Sequence, residues 1–227
     1  MSTPRKGVFI SFEGGEATGK TTQISMLSEF LKHSAIPHVV TREPGGCLQS
    51  EMIRKLFLDP DLQGWSLWSQ YFLLLASRNE HIHSVILPAL NDGKWVLCDR
   101  FQDSSRVYQG IVGGLGLDVV DEIYAKTIGD VWPNLTFVLE ISEELMLQRL
   151  DARDKEKDRF DKLPLAFHKR IREAFQGLCL EAEARMMRVD TKESSHETHT
   201  YLVDILQVRF PQLKEAPVPL PKKRADV

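Results

Sequence analysis

Cysteine is scarce in this chain: three residues in 227, Cys47, Cys98 and Cys179, with no C-x-x-C spacing. An odd number of distant thiols argues against a disulfide framework and a structural zinc cage, and suits a reducing cytoplasm. Long apolar runs are missing too. The stretch Phe72 to Ala76 falls far short of the roughly 20 residues that span a bilayer. The N-terminal "MSTPRKG" passes directly into a candidate strand, without the separate apolar core of a signal peptide. No membrane segment is expected. A basic excess is absent as well, the formal net charge being −3, so coating nucleic acid is not the main task. No internal repeat is visible. His196-Glu197-Thr198-His199 is one residue short of the H-E-x-x-H zinc-protease spacing, and His81 and His83 point to different sides of a helix. All four histidines read as structural or solvated.

What is present is an ordinary globular composition, 42% hydrophobic and 27% charged, in a length that suits one α/β domain. Strands are expected at 7–12, 37–41, 95–98, 135–141 and 187–190, short, rich in β-branched or aromatic residues and separated by helical stretches. That alternation predicts a parallel sheet of about five strands flanked by helices. A long helix is expected over 65–90, with Trp68, Phe72, Leu75, Ile82, Val85, Ile86 and Leu90 approximating a core-facing stripe. Two helices between 143 and 185 flank the charged link "RDKEKDRFD" at 153–161, which suits a mobile lid. After Phe210 the chain turns rich in proline and charge. The reading is one domain over 1–210 and a disordered tail over 211–227.

The most informative segment is "FEGGEATGKTTQ" at 12–23. Gly14, Gly19, Lys20 and Thr21 match G-x-x-x-x-G-K-[ST] between a strand and a helix, the context in which glycines let backbone N–H groups curl around phosphate. Gly14, Gly15, Glu16, Ala17, Thr18, Gly19, Lys20, Thr21 and Thr22 would form an ATP cradle. In it Lys20 reaches the β- and γ-phosphates and Thr21 offers its hydroxyl to Mg²⁺. Asp99-Arg100 follows the strand "WVLC", which puts the Asp99 carboxylate at a strand end, where a P-loop enzyme holds its Mg²⁺. Arginines crowd the places where a cleft should lie: Arg42, Arg54, Arg78, Arg100, Arg149, Arg153 and Arg159. Forked guanidinium groups in such number suit two phosphorylated substrates.

Together the segments "FEGGEATGKTTQ", "TREPGG", "SRNEHIHSVILPAL", "DRFQDSSRVYQG" and "RLDARDKEKDRFD" resemble the bacterial-type thymidylate kinases, over nearly the whole chain up to about Phe210. The resemblance implies a P-loop kinase fold with a mobile lid, transfer of the γ-phosphoryl of ATP to dTMP with Mg²⁺, and a homodimer. It places Glu16 near the acceptor's sugar hydroxyl and the metal region, and Arg54 and Arg100 on the monophosphate. Arg78 falls on the thymine carbonyl, Ser104 and Gln109 on the base edge, and Tyr108 against the deoxyribose. Glu43 and Leu74 join the acceptor site, and Arg149 the ATP site. Ala17 stands where another branch of the family carries a catalytic arginine, which shifts that duty to the lid residues Arg153 and Arg159.

Two departures stand out. Leu74 occupies the position of a phenylalanine that stacks on thymine, and Val107 replaces an alanine, which would narrow the pocket. Of the rival readings, a GTPase switch lacks its N-K-x-D segment, and a deoxynucleoside kinase would leave Arg54 and Arg100 without a phosphate to hold. A nucleotide-binding assembly ATPase would turn over slowly without any acceptor.

Overall fold

A computed structural model describes residues 7–59, 64–152, 160, 163–191 and 194–213. Five strands, β1 (Phe9–Glu13), β2 (His38–Arg42), β3 (Trp95–Asp99), β4 (Leu135–Glu140) and β5 (Met186–Asp190), lie in the order β2-β3-β1-β4-β5, all pairs parallel. The strand expectations hold, with ends shifted by a residue or two. Every residue of β1 and β4 is buried, as a sheet covered on both faces requires. Their two interior polar side chains, Ser11 and Thr136, satisfy each other at 2.8 Å.

Nine α-helices surround the strands among the described residues: α1 (Lys20–His33), α2 (Leu48–Leu58), α3 (Leu67–His81), α4 (Leu87–Asn91), α5 (Gln102–Ser105), α6 (Leu117–Thr127), α7 (Glu143–Asp151), α8 (Leu165–Glu181) and α9 (Ser195–Arg209). On one face of the sheet, Phe12, Leu97 and Phe137 pack with Leu27 and Phe30 of α1 and Leu202 and Leu206 of α9. On the other, Phe9, Val96 and Cys98 meet Tyr71, Ile82, Phe101 and Tyr124.

The expected helix over 65–90 is α3 running into α4 through a π-helical turn, Ile82–Ile86. Its stripe is only half right. Leu75, Ile82, Ile86 and Leu90 are buried, but Trp68 is 42% exposed and Phe72 54% exposed, stacked on each other with ring centroids 5.7 Å apart. A second π-helical stretch, Arg106–Val112, follows α5. Such turns re-aim side chains and are frequent at functional sites; this one carries Tyr108 and Gln109. At the C-terminal end, the first three residues of the tail expected over 211–227 are among the described residues. Pro211–Leu213 form a 3₁₀ turn and Leu213 is fully buried in the core beside α9. Residues 214–227 lie outside the described residues. None of the described helices is long and apolar enough to cross a membrane, and all three cysteines are free thiols.

Candidate active site

The carboxyl ends of β1, β2 and β3 open onto one cleft of about 1130 Å³, where open parallel sheets place their ligands. At its centre the chain leaves β1 through the glycine-rich turn. Gly14 has φ +124°, and a Cβ there would stand 2.2 Å from the Leu139 carbonyl oxygen, so the turn can pass β4 only as glycine. Gly19, at φ +91°, precedes α1, whose first residue is Lys20. The Lys20 ammonium donates to the carbonyls of Gly14 at 3.2 Å and Gly15 at 2.7 Å. Burial, then the neighbouring Arg100 charge, pushes its pKa down to about 8. Glu16, Ala17, Thr18, Gly19, Lys20, Thr21 and Thr22 all line the cleft. Arg149, from α7, reaches the same turn and donates to the Ala17 carbonyl at 3.2 Å. The Thr21 hydroxyl donates to Asp99 Oδ2 at 3.1 Å, joining the two oxygens expected at a metal.

Arg100 follows β3 with φ +70°, a backbone conformation rare for a side-chain-bearing residue. It turns the guanidinium back over the cradle, where it donates to Glu16 Oε1 at 2.6 Å and to the Gly14 carbonyl at 3.0 Å. Tyr108 donates to the same Glu16 oxygen at 3.2 Å, its ring 5.4 Å from the Arg100 guanidinium carbon. Beneath lies Glu13, fully buried, accepting from the Phe101 N–H at 2.7 Å and the Ser104 hydroxyl at 2.6 Å. Burial and the nearby Asp103 charge push the Glu13 carboxyl up to about 8.

The far wall is built on α2 and α3. Arg78 is 2% exposed, and its guanidinium is clamped on three sides. It donates to Glu43 Oε2 at 2.6 Å, Gln102 Oε1 at 2.6 Å and Ser105 Oγ at 3.1 Å. Leu74, Arg78, Ser105 and Gln109 line the cleft there. Gln109 Oε1 is buried and finds no hydrogen-bond partner among the described residues. Arg54, from α2, donates to the Pro44 carbonyl at 2.8 Å, and Phe160 packs edge-on against Tyr108 with centroids 5.6 Å apart.

Several expectations change here. Ser104 lines the cleft, but on the Arg100 side, with its hydroxyl given to Glu13; the serine beside Arg78 is Ser105, one position on. Glu43 lines the cleft, with its two carboxylate oxygens taken by Arg78 and His81. Val107 faces away, packed in the core with Val138, Ile171 and Phe175, so it does not narrow the pocket. The reading of His81 and His83 as structural or solvated holds: His81 is buried in the network that supports Arg78, and His83 is exposed. Arg42 does line the cleft, paired there with Glu51 at 3.1 Å. Arg153 and Arg159, and with them the expected lid, lie outside the described residues.

Comparison with known proteins agrees with this geometry. A family model described as "Thymidylate kinase" matches residues 12–202. The chain is similar to a thymidylate kinase of Bradyrhizobium sp. (strain ORS 278), 40% identical over 209 residues that cover 91% of this chain and 92% of the relative. It is also similar to a thymidylate kinase of Chlamydia pneumoniae, 43% identical over 189 residues that cover 82% of this chain and 91% of the relative. The crystal structure of thymidylate kinase from Ehrlichia chaffeensis superposes with a TM-score of 0.71 at 29% identity, covering 88% of this chain and 99% of that one. With a glycine-rich cradle, a strand-end carboxylate and an arginine-lined far wall assembled in one cleft, and a family model spanning most of its length, the chain belongs to the thymidylate kinase family.

Proposed function

We propose that the chain transfers the γ-phosphoryl of ATP to dTMP, giving ADP and dTDP on the way to dTTP. The observation that carries the acceptor assignment is the polarity of the far wall. Among the described residues the three bonds of Arg78 leave one N–H on each terminal nitrogen, and Gln109 presents a buried acceptor with no partner. A base with a carbonyl beside a ring N–H, as in thymine and uracil, fits that order of donor and acceptor. Cytosine reverses it and would leave buried groups unpaired, the costliest form of mismatch.

Arg100 and Arg54 would hold the acceptor phosphate, Tyr108 the deoxyribose, and Glu16 the sugar hydroxyl. Lys20 and Arg149 would face the ATP phosphates. The Thr21 and Asp99 oxygens are hard donors of the kind Mg²⁺ accepts alongside phosphates and water, so these two residues would hold it. Bound there, the ion would neutralise charge on the ATP phosphates. A reducing cytoplasm suits the free thiols, and a homodimer would cover the exposed Trp68 and Phe72.

ADP release in the presence of ATP and Mg²⁺, with each nucleoside and nucleoside monophosphate added in turn, tests the proposal. Turnover is expected with dTMP and dUMP, and little with dCMP or with any nucleoside. Efficient phosphorylation of dCMP overturns the acceptor assignment.

A further inference from the structure

We propose that His81 is a positioning residue for base selection: acting through Glu43, it holds the Arg78 guanidinium in the orientation that faces the acceptor base. The proposal rests on the reading of Arg78 given above. His81 has no exposed surface, so it cannot touch a substrate. Both its ring nitrogens are nevertheless engaged. Nδ1 lies 3.0 Å from Glu43 Oε1 and Nε2 lies 2.6 Å from the Thr41 hydroxyl. A carboxylate can only accept, so Nδ1 carries the proton toward Glu43.

The consequence falls on Glu43. Its second oxygen, Oε2, takes the Arg78 Nε–H at 2.6 Å, so each carboxylate oxygen has one dedicated donor. With Oε1 pinned by His81, the carboxylate plane cannot rotate, and the guanidinium fork that it grips is fixed with it. Without His81, Oε1 would be a buried acceptor in search of a donor, and the nearest supply is Arg78 itself. Rotation to take a second Arg78 N–H would pull the fork off Gln102 and Ser105 and change what it shows the base.

The surroundings are shaped to hold the ring. Thr41 is the last residue but one of β2, His81 ends α3 three residues after Arg78, and the loop after β2 passes flush against both. At Gly46, with φ +89°, a Cβ would lie 2.4 Å from His81 Nε2 and 2.4 Å from Thr41 Oγ1. The loop that carries Glu43 can therefore close over the Thr41–His81 pair only because residue 46 is glycine.

The test exploits the two nitrogens separately. An asparagine amide can stand in for Nδ1 and a glutamine amide for Nε2. His81→Asn therefore keeps a donor for Glu43 and loses the Thr41 bond, and His81→Gln does the reverse. Steady-state kinetics with dTMP and dCMP are compared for wild type, both variants and Arg78→Ala. KM and the dTMP-to-dCMP ratio of kcat/KM do not depend on how much of a preparation is folded, which protects the comparison from lost stability.

The expected result for His81→Gln is a rise of about tenfold or more in the dTMP KM and a similar fall in selectivity, from the loss of one buried partner. Its kcat should fall much less and its KM for ATP should not move. His81→Asn should recover most of the selectivity. Equal selectivity losses in the two variants would make His81 a core filler. Intact selectivity in His81→Gln alongside lost selectivity in Arg78→Ala also overturns the inference while leaving the acceptor reading in place. Intact selectivity in Arg78→Ala removes the acceptor reading and this one with it.

Discussion

At the scale of single residues, Glu13 is where the fold and the site compete. It ends β1 at the start of the cradle, has no exposed surface, and grips the Phe101 N–H and the Ser104 hydroxyl. By doing so it anchors the segment in which Arg100 holds its left-handed backbone. Burial, and then the Asp103 charge, disfavour its ionised form, so its folded pKa rises from 4.5 to about 8. A raised pKa in the folded state means that the stability linked to Glu13 is fully present below pH 4.5 and is lost as pH climbs through 8. For a fully buried carboxyl that loss is on the order of a few kcal/mol. Glu13→Gln removes the titration while keeping the shape. Its unfolding free energy, measured against wild type by denaturant titration, should move in the variant's favour by that order between pH 5 and pH 8. Parallel profiles would show that Glu13 stays ionised. None of this is visible in "FEGGEATGK", because the partners of Glu13 lie 88 and 91 positions along the chain. Separations of 38 and 27 positions likewise hid the Glu43 bond of His81 and exchanged Ser104 for Ser105. Spacing tells that a serine pair follows the arginine, but only the turn after Arg100 decides which hydroxyl faces Arg78.

At the scale of elements, the strands and the cradle were legible because each is a local pattern. A short buried run followed by a glycine-rich turn and a helical period needs no distant partner to be recognised. The helix over 65–90 was only partly legible. Periodicity reports an approximate stripe, but which of its members meet the core is settled only by packing. Leu75, Ile82, Ile86 and Leu90 are buried together with Tyr71, whereas Trp68 and Phe72 are exposed on a neighbouring face of the helix. Phe72 therefore cannot make up for the ring missing at Leu74, two positions on, which is buried at the cleft wall. Leu74→Phe would place an aromatic face there. Ring stacking contributes about 0.5–1.5 kcal/mol beyond the area buried, so KM should fall about two- to tenfold for dTMP and dUMP alike. The ratio between the two should stay nearly constant, since one methyl group contributes only roughly 1 kcal/mol and the new ring does not read it. A change confined to one of the two nucleotides would mean that residue 74 senses the methyl position instead.

At the scale of the whole molecule, the stacked pair Trp68–Phe72 poses a question of assembly. Aromatic side chains of this size bury about 150–250 Å² each when covered, and two of them held face to face in water form the nucleus of an interaction site. The proposed occupant is the same face of a second copy, and a two-fold axis across α3 would bring the two pairs together. The net charge of −3 offers little repulsion against such pairing. Sedimentation velocity at micromolar concentration should then give twice the 25.9 kDa mass of one chain. Trp68→Glu, which puts a charge where the partner's ring would sit, should sediment at the single-chain mass. The change should also reach the active site, because α3 carries Trp68 near its start and Arg78 near its end. Dissociation should therefore raise KM for dTMP more than KM for ATP, whose cradle hangs on β1 and α1. Its unfolding temperature should in addition lose the dependence on protein concentration that a dimer imposes. A wild-type chain that sediments at the single-chain mass at these concentrations would refute the dimer and leave the aromatic pair without the role assigned to it.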